Sequence, residues 1–118
     1  MAGEKNFENR IKRWLDEHGI WYVKFFANRN TKSGVPDILA CVNGVFVGIE
    51  VKGPGGKPSP LQLYHCRKIT ESGGIAVVVW PSDFDCLKEM LFRLLEGGGR
   101  DSVQDIIFEG WHFHPVCP

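Results

Sequence analysis

The sequence predicts an α/β fold in which helices flank a mixed central sheet. Three features predict it: an Asn-Gly turn between two apolar segments, a helix and then a strand after that hairpin, and an amphipathic segment at each end of this core. Asn-Gly between apolar runs is a strong hairpin signal. Two successive strands joined by a helix form a parallel pair. The predicted order is therefore α-β-β-β-α-β, followed by a C-terminal helix and a tail.

The first half of the chain supplies a helix and three strands. Apolar residues recur at helical spacing from about 4 to 18, and Gly19 ends this helix. Residues 20–26 are aromatic and β-branched, which is typical of a strand, and 27–36 form a polar loop. The hairpin of 37–52 has strands that are apolar on both faces. We therefore expect the sheet to be covered on both sides.

The second half supplies two helices and one strand. Ser59-Pro60-Leu61-Gln62 has the pattern of a capping box with proline at the first helical position. Gly73-Gly74 ends this helix, and 75–80 is a continuous apolar strand. A C-terminal helix is predicted over about 82–96, and the tail spans 97–118.

Length and composition limit the possible classes of protein. The chain has 118 residues, so we expect one domain over 1–118, with its core at about 4–80. The 14 basic and 14 acidic residues cancel, so any binding of nucleic acid must come from local patches. Scattered cysteines without a CxxC pair indicate a reduced chain. A polar N-terminus and the lack of long apolar runs favour the cytoplasm.

The Asn43-Gly44 turn fixes which hairpin residues face each other. In a two-residue hairpin the numbers of facing residues have a constant sum, so Asp37 faces Glu50. Facing carboxylates, with Cβ atoms about 4.5–5.5 Å apart, repel each other and need a cation. Lys52 lies on the same face, two residues after Glu50, and supplies part of that positive charge.

A divalent metal ion fits between these two carboxylates. Mg²⁺ or Mn²⁺ is commonly held by one or two carboxylates, water and phosphate oxygens, so Asp37 and Glu50 are the predicted ligands. The backbone carbonyl of Val51 is a third candidate ligand. Lys52 would orient the attacking water or stabilise charge on a phosphate. The competing interpretation is a surface salt-bridge cluster, which the facing register and the apolar strands disfavour.

These motifs resemble those of a nuclease superfamily. Pro36-Asp37 and Glu50-Val51-Lys52 read as PD-(D/E)xK, and the order α-β-β-β-α-β is that superfamily's restriction-endonuclease-like core. With Gly34-Val35 before the first motif and Ser59-Pro60-Leu61-Gln62 after the second, residues 4–80 look like a VRR-NUC (virus-type replication-repair nuclease) domain. The resemblance implies a metal-dependent DNA endonuclease. Stand-alone members are typically encoded by phages or bacteria and form homodimers that cut branched DNA such as four-way (Holliday) junctions.

The resemblance also implies a set of catalytic residues, namely Asp37, Glu50, Lys52, Glu8 and Gln62. Glu8 corresponds to a helical glutamate of the family and is a candidate further ligand for Mg²⁺. It lies at the border of the apolar arc of its helix, so it either points at the carboxylates of the sheet or is solvated; we favour the site role, and Glu4 is the rival carboxylate. A capping box alone explains Gln62, and its site role depends on the resemblance.

Basic residues in loops near the predicted site are candidates for binding DNA phosphates. They are Arg29, Lys32, Lys57 and Lys24. Individually, each is also explained as a solvated charge.

Other functions remain open at this stage. A nuclease that acts on flap or single-stranded DNA is one alternative, and a non-catalytic DNA-binding subunit with the same fold is another. In the tail, His112, His114 and Cys117 would give Zn²⁺ at most three ligands, whereas structural zinc sites usually have four. This makes a zinc-supported interaction module the weakest of the alternatives.

Overall fold

A computed structural model describes residues 2–27 and 33–106 and confirms the predicted α/β order. The helices and strands are α1 Ala2–Glu17, β1 Trp21–Lys24, β2 Ile38–Val42, β3 Val45–Val51, α2 Pro60–Glu71, β4 Ile75–Val79 and α3 Phe84–Leu95. Short 3-10 turns at Pro81–Asp83 and Arg100–Val103 precede and follow α3. None of the described helices is long and apolar enough to cross a membrane.

The four strands form one mixed sheet in the order β1-β2-β3-β4. β1, β2 and β3 pair in antiparallel fashion, whereas β3 and β4, which α2 connects, are parallel. Asn43 and Gly44 both adopt positive φ, at 50° and 86°, as their hairpin turn requires. The predicted register is confirmed, because Val42 pairs with Val45 and Ile38 pairs with Ile49.

The main hydrophobic core lies on the sheet face that α1 and α3 cover. Both helices contribute fully buried side chains, and their partners come from alternate positions of the strands. From the helices these are Phe7, Ile11, Leu15, Leu87, Met90, Leu91 and Leu94, and from the strands Ile38, Ala40, Val42, Val47, Ile49, Ile75, Val77 and Val79. Val103 and Ile106 join this core, so the start of the tail packs on its own chain.

Within residues 2–27 and 33–106, the opposite face of the sheet is covered over only half its width. α2 packs there on β4 and β3, where Cys66 meets Ala76 and Val78. On β1, Trp21 is 65% exposed and Val23 40% exposed. The expectation that both faces would be covered is therefore wrong for the β1–β2 half. A helix about 10 Å wide spans about two strands spaced about 4.8 Å apart, and α2 is the described helix that packs on this side.

Local hydrogen bonds explain where α2 and α3 begin. The side chain of Ser59 accepts a bond of 3.1 Å from the Gln62 N–H, and Gln62 Oε1 accepts one of 2.8 Å from the Ser59 N–H, which confirms the capping box. α3 begins slightly later than predicted because a 3-10 turn precedes it. In that turn, Asp83 Oδ2 accepts a bond of 2.9 Å from the Trp80 N–H.

Candidate active site

Asp37 and Glu50 meet where β2 begins and β3 ends. They adjoin the Ile38–Ile49 pair, and Asp37 Oδ2 accepts a hydrogen bond of 2.8 Å from the Val51 N–H. The Asp37 backbone carbonyl accepts another of 2.8 Å from the Phe25 N–H, next to the last β1–β2 pair. Strand pairing on both sides therefore holds Asp37 in place, with its side chain 23% exposed.

Glu50 is the buried member of this pair. Its side chain is 2% exposed, and within the described part of the chain its Oε1 atom has no hydrogen-bond partner. Burial and, secondly, the charge of Asp37 raise the pKa of Glu50 to about 8, although nearby Lys52 acts in the opposite direction. Without a further cation, Glu50 would therefore hold a proton near neutral pH.

Lys52 lies beside Glu50 on a fixed segment of backbone. Its Nζ is 3.5 Å from Glu50 Oε2, and its side chain is 12% exposed. Its N–H donates a bond of 2.9 Å to the Val79 carbonyl, which extends the β3–β4 pairing by one residue. The ammonium is therefore held at the site by sheet pairing.

Glu8 reaches the same end of the sheet from α1. It is buried, and Lys24 Nζ lies 2.8 Å from its Oε1 and 3.4 Å from Asp37 Oδ1. Lys12 Nζ is 3.2 Å from the other Glu8 oxygen. Burial acts to raise the pKa of Glu8, but Lys24 and Lys12 outweigh it and hold that pKa below its usual value. Glu8 thus points towards the site and not into solvent.

The rival carboxylate, Glu4, lies one helical turn from Glu8, beside the loop that follows Lys52. A Cβ atom on Gly53 would lie 3.0 Å from the Glu4 backbone nitrogen, so this loop passes close to the start of α1. Glu4 and the loop glycines line a small cavity of about 150 Å³. The first turns of α1 therefore form one wall of the region around Lys52.

The other predicted site residues have different surroundings. Gln62 uses its side-chain oxygen in the capping box of α2. Lys57 is exposed on the loop before α2, whereas Lys24 is bound to two carboxylates. Arg29 and Lys32 lie outside the described residues, as do His112, His114 and Cys117 of the tail.

The sequence does not predict two contacts of the site. Lys24 is predicted as a DNA contact and not as the partner of Glu8. Its position opposite Ile38, the residue after Asp37, was not visible until the β1–β2 register was known. The i, i+4 spacing of Glu8 and Lys12 was a visible signal for the second contact.

The donor set fits a Mg²⁺ ion that keeps much of its water shell. Within residues 2–27 and 33–106, no group of three or more His, Cys, Asp or Glu side chains is placed to hold a metal ion. A closed cage of protein side chains is therefore not formed there. Mg²⁺ is usually bound by one or two carboxylates together with water and phosphate, and the unpartnered oxygen of Glu50 beside Asp37 suits that mode.

Comparison with known families identifies the type of protein. The family model of the archaeal Holliday junction resolvases (Hjc) matches residues 2–77, from α1 into β4. The chain belongs to this family. Hjc resolvases are metal-dependent endonucleases that cleave four-way DNA junctions in a structure-selective manner, and this protein is such an enzyme. They bind junction DNA typically as dimers. A search of curated proteins found no match.

The match to this family tests several of the expectations from sequence. The PD-(D/E)xK superfamily, the endonuclease activity and the four-way junction are confirmed. The Hjc family, and not VRR-NUC, is the one shown, and a phage origin receives no support. Both families share the motifs Pro36-Asp37 and Glu50-Val51-Lys52 through their superfamily, so these short motifs do not separate them.

Proposed function

We propose that Asp37 and Glu50 hold a Mg²⁺ ion for junction cleavage, that the Val51 carbonyl completes the protein ligands, and that Mn²⁺ can substitute. One observation carries this proposal: a buried Glu50 oxygen, which has no hydrogen-bond partner among the described residues, lies near a second carboxylate. Such an arrangement is costly unless a cation or a proton neutralises it. When bound, the ion supplies a Lewis acid that activates water and offsets charge on the scissile phosphate.

Lys52 is proposed to orient the attacking water and to stabilise negative charge on the phosphate. Its ammonium nitrogen lies 3.5 Å from Glu50 Oε2, and its side chain is 12% exposed, so the side chain is held at the site and is not fully buried. A lysine supplies three donors on a compact charge, which suits both tasks. Asp37 is oriented by the Val51 N–H, and its other oxygen, 3.4 Å from Lys24 Nζ, would bind the ion in place of that lysine.

Glu8 and Gln62 are proposed to support the site from the two helices that border it. Glu8 binds Lys24 and is a candidate further ligand for Mg²⁺. Gln62 caps α2 through Ser59. On the same helix, burial and, secondly, the charge of Glu50 raise the pKa of Cys66. Loss of the Gln62 side chain would therefore loosen the start of the helix that packs on β3 and β4.

DNA binding is proposed to come from local basic residues, because the chain has no net charge. Lys57, Arg29, Lys32 and Lys24 are the candidates. Each phosphate contact should weaken with salt and carry no base preference. Removal of one of these side chains should lower the affinity for all junction sequences. It should also reduce the slope of the log binding constant against the log salt concentration by about 1. Lys24 can contact a DNA phosphate only after a metal ion has replaced its ammonium beside Asp37.

Cleavage assays on a panel of DNA structures test these roles. Four-way junction, flap, splayed-arm, duplex and single-stranded DNA would be incubated with Mg²⁺, Mn²⁺ or chelator. We expect Asp37→Asn, Glu50→Gln and Lys52→Met to lose roughly a thousandfold in junction cleavage while still binding the junction, because they remove transition-state contacts. Asp101→Asn, on the exposed 3-10 turn, is the matched control. Full cleavage by Asp37→Asn would contradict the assignment.

A further inference from the structure

A second, larger cavity adjoins the small one at Glu4 and shares Pro54 and Gly55 with it. It measures about 500 Å³, and its other lining residues are Trp80, Pro81 and Ser82. This volume falls in the range of about 300–1,000 Å³ that is typical of ligand pockets. The lining consists of an indole, two proline rings, a glycine and one hydroxyl, and none of the five residues is charged. The cavity therefore suits a flat, mostly apolar group with a few polar atoms at its edge.

The strand register places Trp80 beside the proposed catalytic lysine. The Lys52 N–H continues the β3–β4 pairing through its bond to the Val79 carbonyl. Glu50 and Val78 form a pair of this register. Two residues further along each strand come Lys52 and Trp80, which therefore lie side by side on the same face of the sheet. One wall of the cavity is thus the sheet neighbour of Lys52.

Hydrogen bonds hold both walls of the cavity in place. Trp80 Nε1 donates a bond of 2.8 Å to the Gly56 carbonyl, and the Gly56 N–H donates one of 3.0 Å to the Gly53 carbonyl. On the other wall, the Asp83 N–H donates a bond of 2.8 Å to the Trp80 carbonyl, and Asp83 Oδ2 accepts one from the Trp80 N–H. Because its walls are already fixed, the cavity would lose little conformational entropy when it binds a ligand.

Two cations lie close to this cavity. Phe84 comes two residues after Ser82 of the lining. Lys88 Nζ is 4.2 Å and Arg10 Cζ is 4.9 Å from the centroid of the Phe84 ring. Among the residues that the structure describes, neither cation forms an ion pair with a carboxylate. Positive charge next to an uncharged aromatic cavity matches a nucleotide chain, in which charged phosphates alternate with flat bases.

We infer that this cavity receives one nucleobase of the junction, stacked against Trp80, while Arg10 and Lys88 contact neighbouring phosphates. Bases stack on aromatic side chains with little regard to sequence, because every base has a flat π-face. The inference rests on the proposed function, since the strand must pass Lys52 for one of its bases to reach Trp80.

The branch point of a four-way junction is where such a base is most easily obtained. In a continuous duplex each base stacks on two neighbours, whereas the exchange of strands interrupts this stacking at the branch point. Moving a base out of the stack costs least where pairing or stacking is already weakened. A cavity that takes one base therefore favours the branch point over continuous duplex, and it places that branch point beside Lys52.

Paired changes in protein and DNA test the contact. Junctions would carry a single abasic sugar, placed in turn at each nucleotide around the branch point, and binding would be measured in chelator. We expect one abasic position to weaken binding by the unsubstituted chain about tenfold, and Trp80→Leu to weaken binding of the intact junction by a similar factor. For Trp80→Leu, the abasic sugar should cause no further loss, because both changes remove the same contact. Phe92→Leu is the matched control, an exposed aromatic residue on α3 that should keep the full effect of the abasic sugar.

Two further variants keep the test independent of whether Trp80→Leu folds. Trp80→Phe loses the bond to Gly56 but keeps an aromatic face, so it should retain most of the dependence on the base. Ser82→Leu would fill the cavity from its exposed side and should weaken binding of the intact junction as Trp80→Leu does. Circular dichroism checks that each variant folds. Unchanged affinity of folded Ser82→Leu, or equal losses from the abasic sugar in the unsubstituted chain and Trp80→Leu, would overturn the inference and leave an extended peptide as the occupant.

Photochemical cross-linking identifies the partner of the base. The base at the position found with abasic sugars would be replaced by 5-iodouracil, and the bound complex would be irradiated. We expect the cross-linked peptide to contain Trp80, and Trp80→Leu to lose the cross-link. A cross-link at Trp14 or Trp21 instead would contradict the placement of the base.

Cleavage assays separate this inference from the site assignment. Asp37→Asn should bind the intact junction, show the same loss with the abasic sugar, and cut neither DNA. Trp80→Leu should still cut the junction when protein is in excess, because it keeps Asp37, Glu50 and Lys52. An active Asp37→Asn that depends on the base would refute the site assignment and leave the base contact intact. An inactive Asp37→Asn, together with binding that no abasic position weakens, would refute the base contact alone.

Discussion

Lys24 Nζ lies 2.8 Å from Glu8 Oε1 and joins the first helix to the sheet at the candidate active site. The same ammonium is 3.4 Å from Asp37 Oδ1, so one lysine neutralises charge on two carboxylates. Burial acts to lower the pKa of Lys24, but Glu8 and Asp37 outweigh it and raise that pKa. Lys24 therefore stays charged across the physiological range, and it stabilises the acidic site when metal is absent.

Replacing Lys24 by methionine should destabilise the metal-free protein. The substitution keeps an apolar stem but leaves the buried Glu8 with one partner fewer, which should cost about 1–3 kcal/mol. Mg²⁺ should restore part of the loss if it binds beside Asp37. Urea denaturation with and without Mg²⁺ measures both effects. Lys68→Met is the control, because its ion pair with Glu71 is more than half exposed and should contribute little. Equal destabilisation by the two substitutions would show that Lys24 has no special role.

The stability of the metal-free enzyme should fall as pH rises because of Glu50. Its pKa is raised from 4.5 in the unfolded chain to about 8 in the folded one, so the native state binds the proton more tightly. The stabilisation is complete below about pH 4.5 and is lost as pH rises towards 8, at no more than about 1.4 kcal/mol per pH unit.

Two substitutions test that pH dependence. Glu50→Gln cannot titrate, so its free energy of unfolding should lack this slope between pH 5 and 8. Asp37→Asn should narrow the pH range over which the stability falls, because the charge of Asp37 is, after burial, the second cause of the raised pKa of Glu50. Chemical denaturation in chelator, repeated at several pH values, gives the slopes. An unchanged slope in Glu50→Gln would mean that another group titrates in this range.

Mg²⁺ should stabilise the enzyme more at high pH than at low pH. A carboxylate must lose its proton before it binds metal, so proton and metal compete for Glu50. At a fixed Mg²⁺ concentration, we expect the increase in Tm to be small at pH 6 and to grow through pH 8. Asp37→Asn should abolish the increase, whereas Asp101→Asn should keep it. A metal-induced shift that is independent of pH would place the ion away from Glu50.

The central relationship of the site could be predicted from sequence because it depends on local geometry. The Asn43-Gly44 turn sets the hairpin register, and that register sets Asp37 against Glu50. The position of Lys24 could not be predicted in this way. It depends on how β1 pairs with β2 across a long polar loop, and neither strand carries a turn signal that fixes this pairing.

The exposed β1–β2 half of the sheet is not predicted for a related physical reason. Apolar residues on both sides of a strand indicate that something covers both sides, but they do not tell which chain supplies the cover. Leu39 and Cys41 have the pattern of buried residues, yet the described part of the chain leaves Cys41 exposed. The pattern therefore predicts that these positions are apolar, but it does not predict that the described helices of this chain cover them.

Substitutions of Asn43 should separate the two ways in which this residue stabilises the hairpin. Asn43 has a φ of 50°, and its Nδ2 donates a hydrogen bond of 3.2 Å to the Leu94 carbonyl near the end of α3. Alanine loses the bond and disfavours positive φ, so Asn43→Ala should cost about 1–3 kcal/mol. Glycine loses the bond but accepts the backbone conformation, so Asn43→Gly should cost about 1 kcal/mol.

The difference between these two substitutions measures how strongly the turn fixes the register. If the turn sets the register, Asn43→Ala should reduce junction cleavage more than Asn43→Gly at equal fractions of folded protein. A slip by one residue would move Asp37 to the other face of the sheet and separate it from Glu50. Urea denaturation gives the folded fraction, and Mg²⁺-dependent cleavage gives the activity. Equal activity per folded molecule would show that neighbouring strands hold the register without help from the turn.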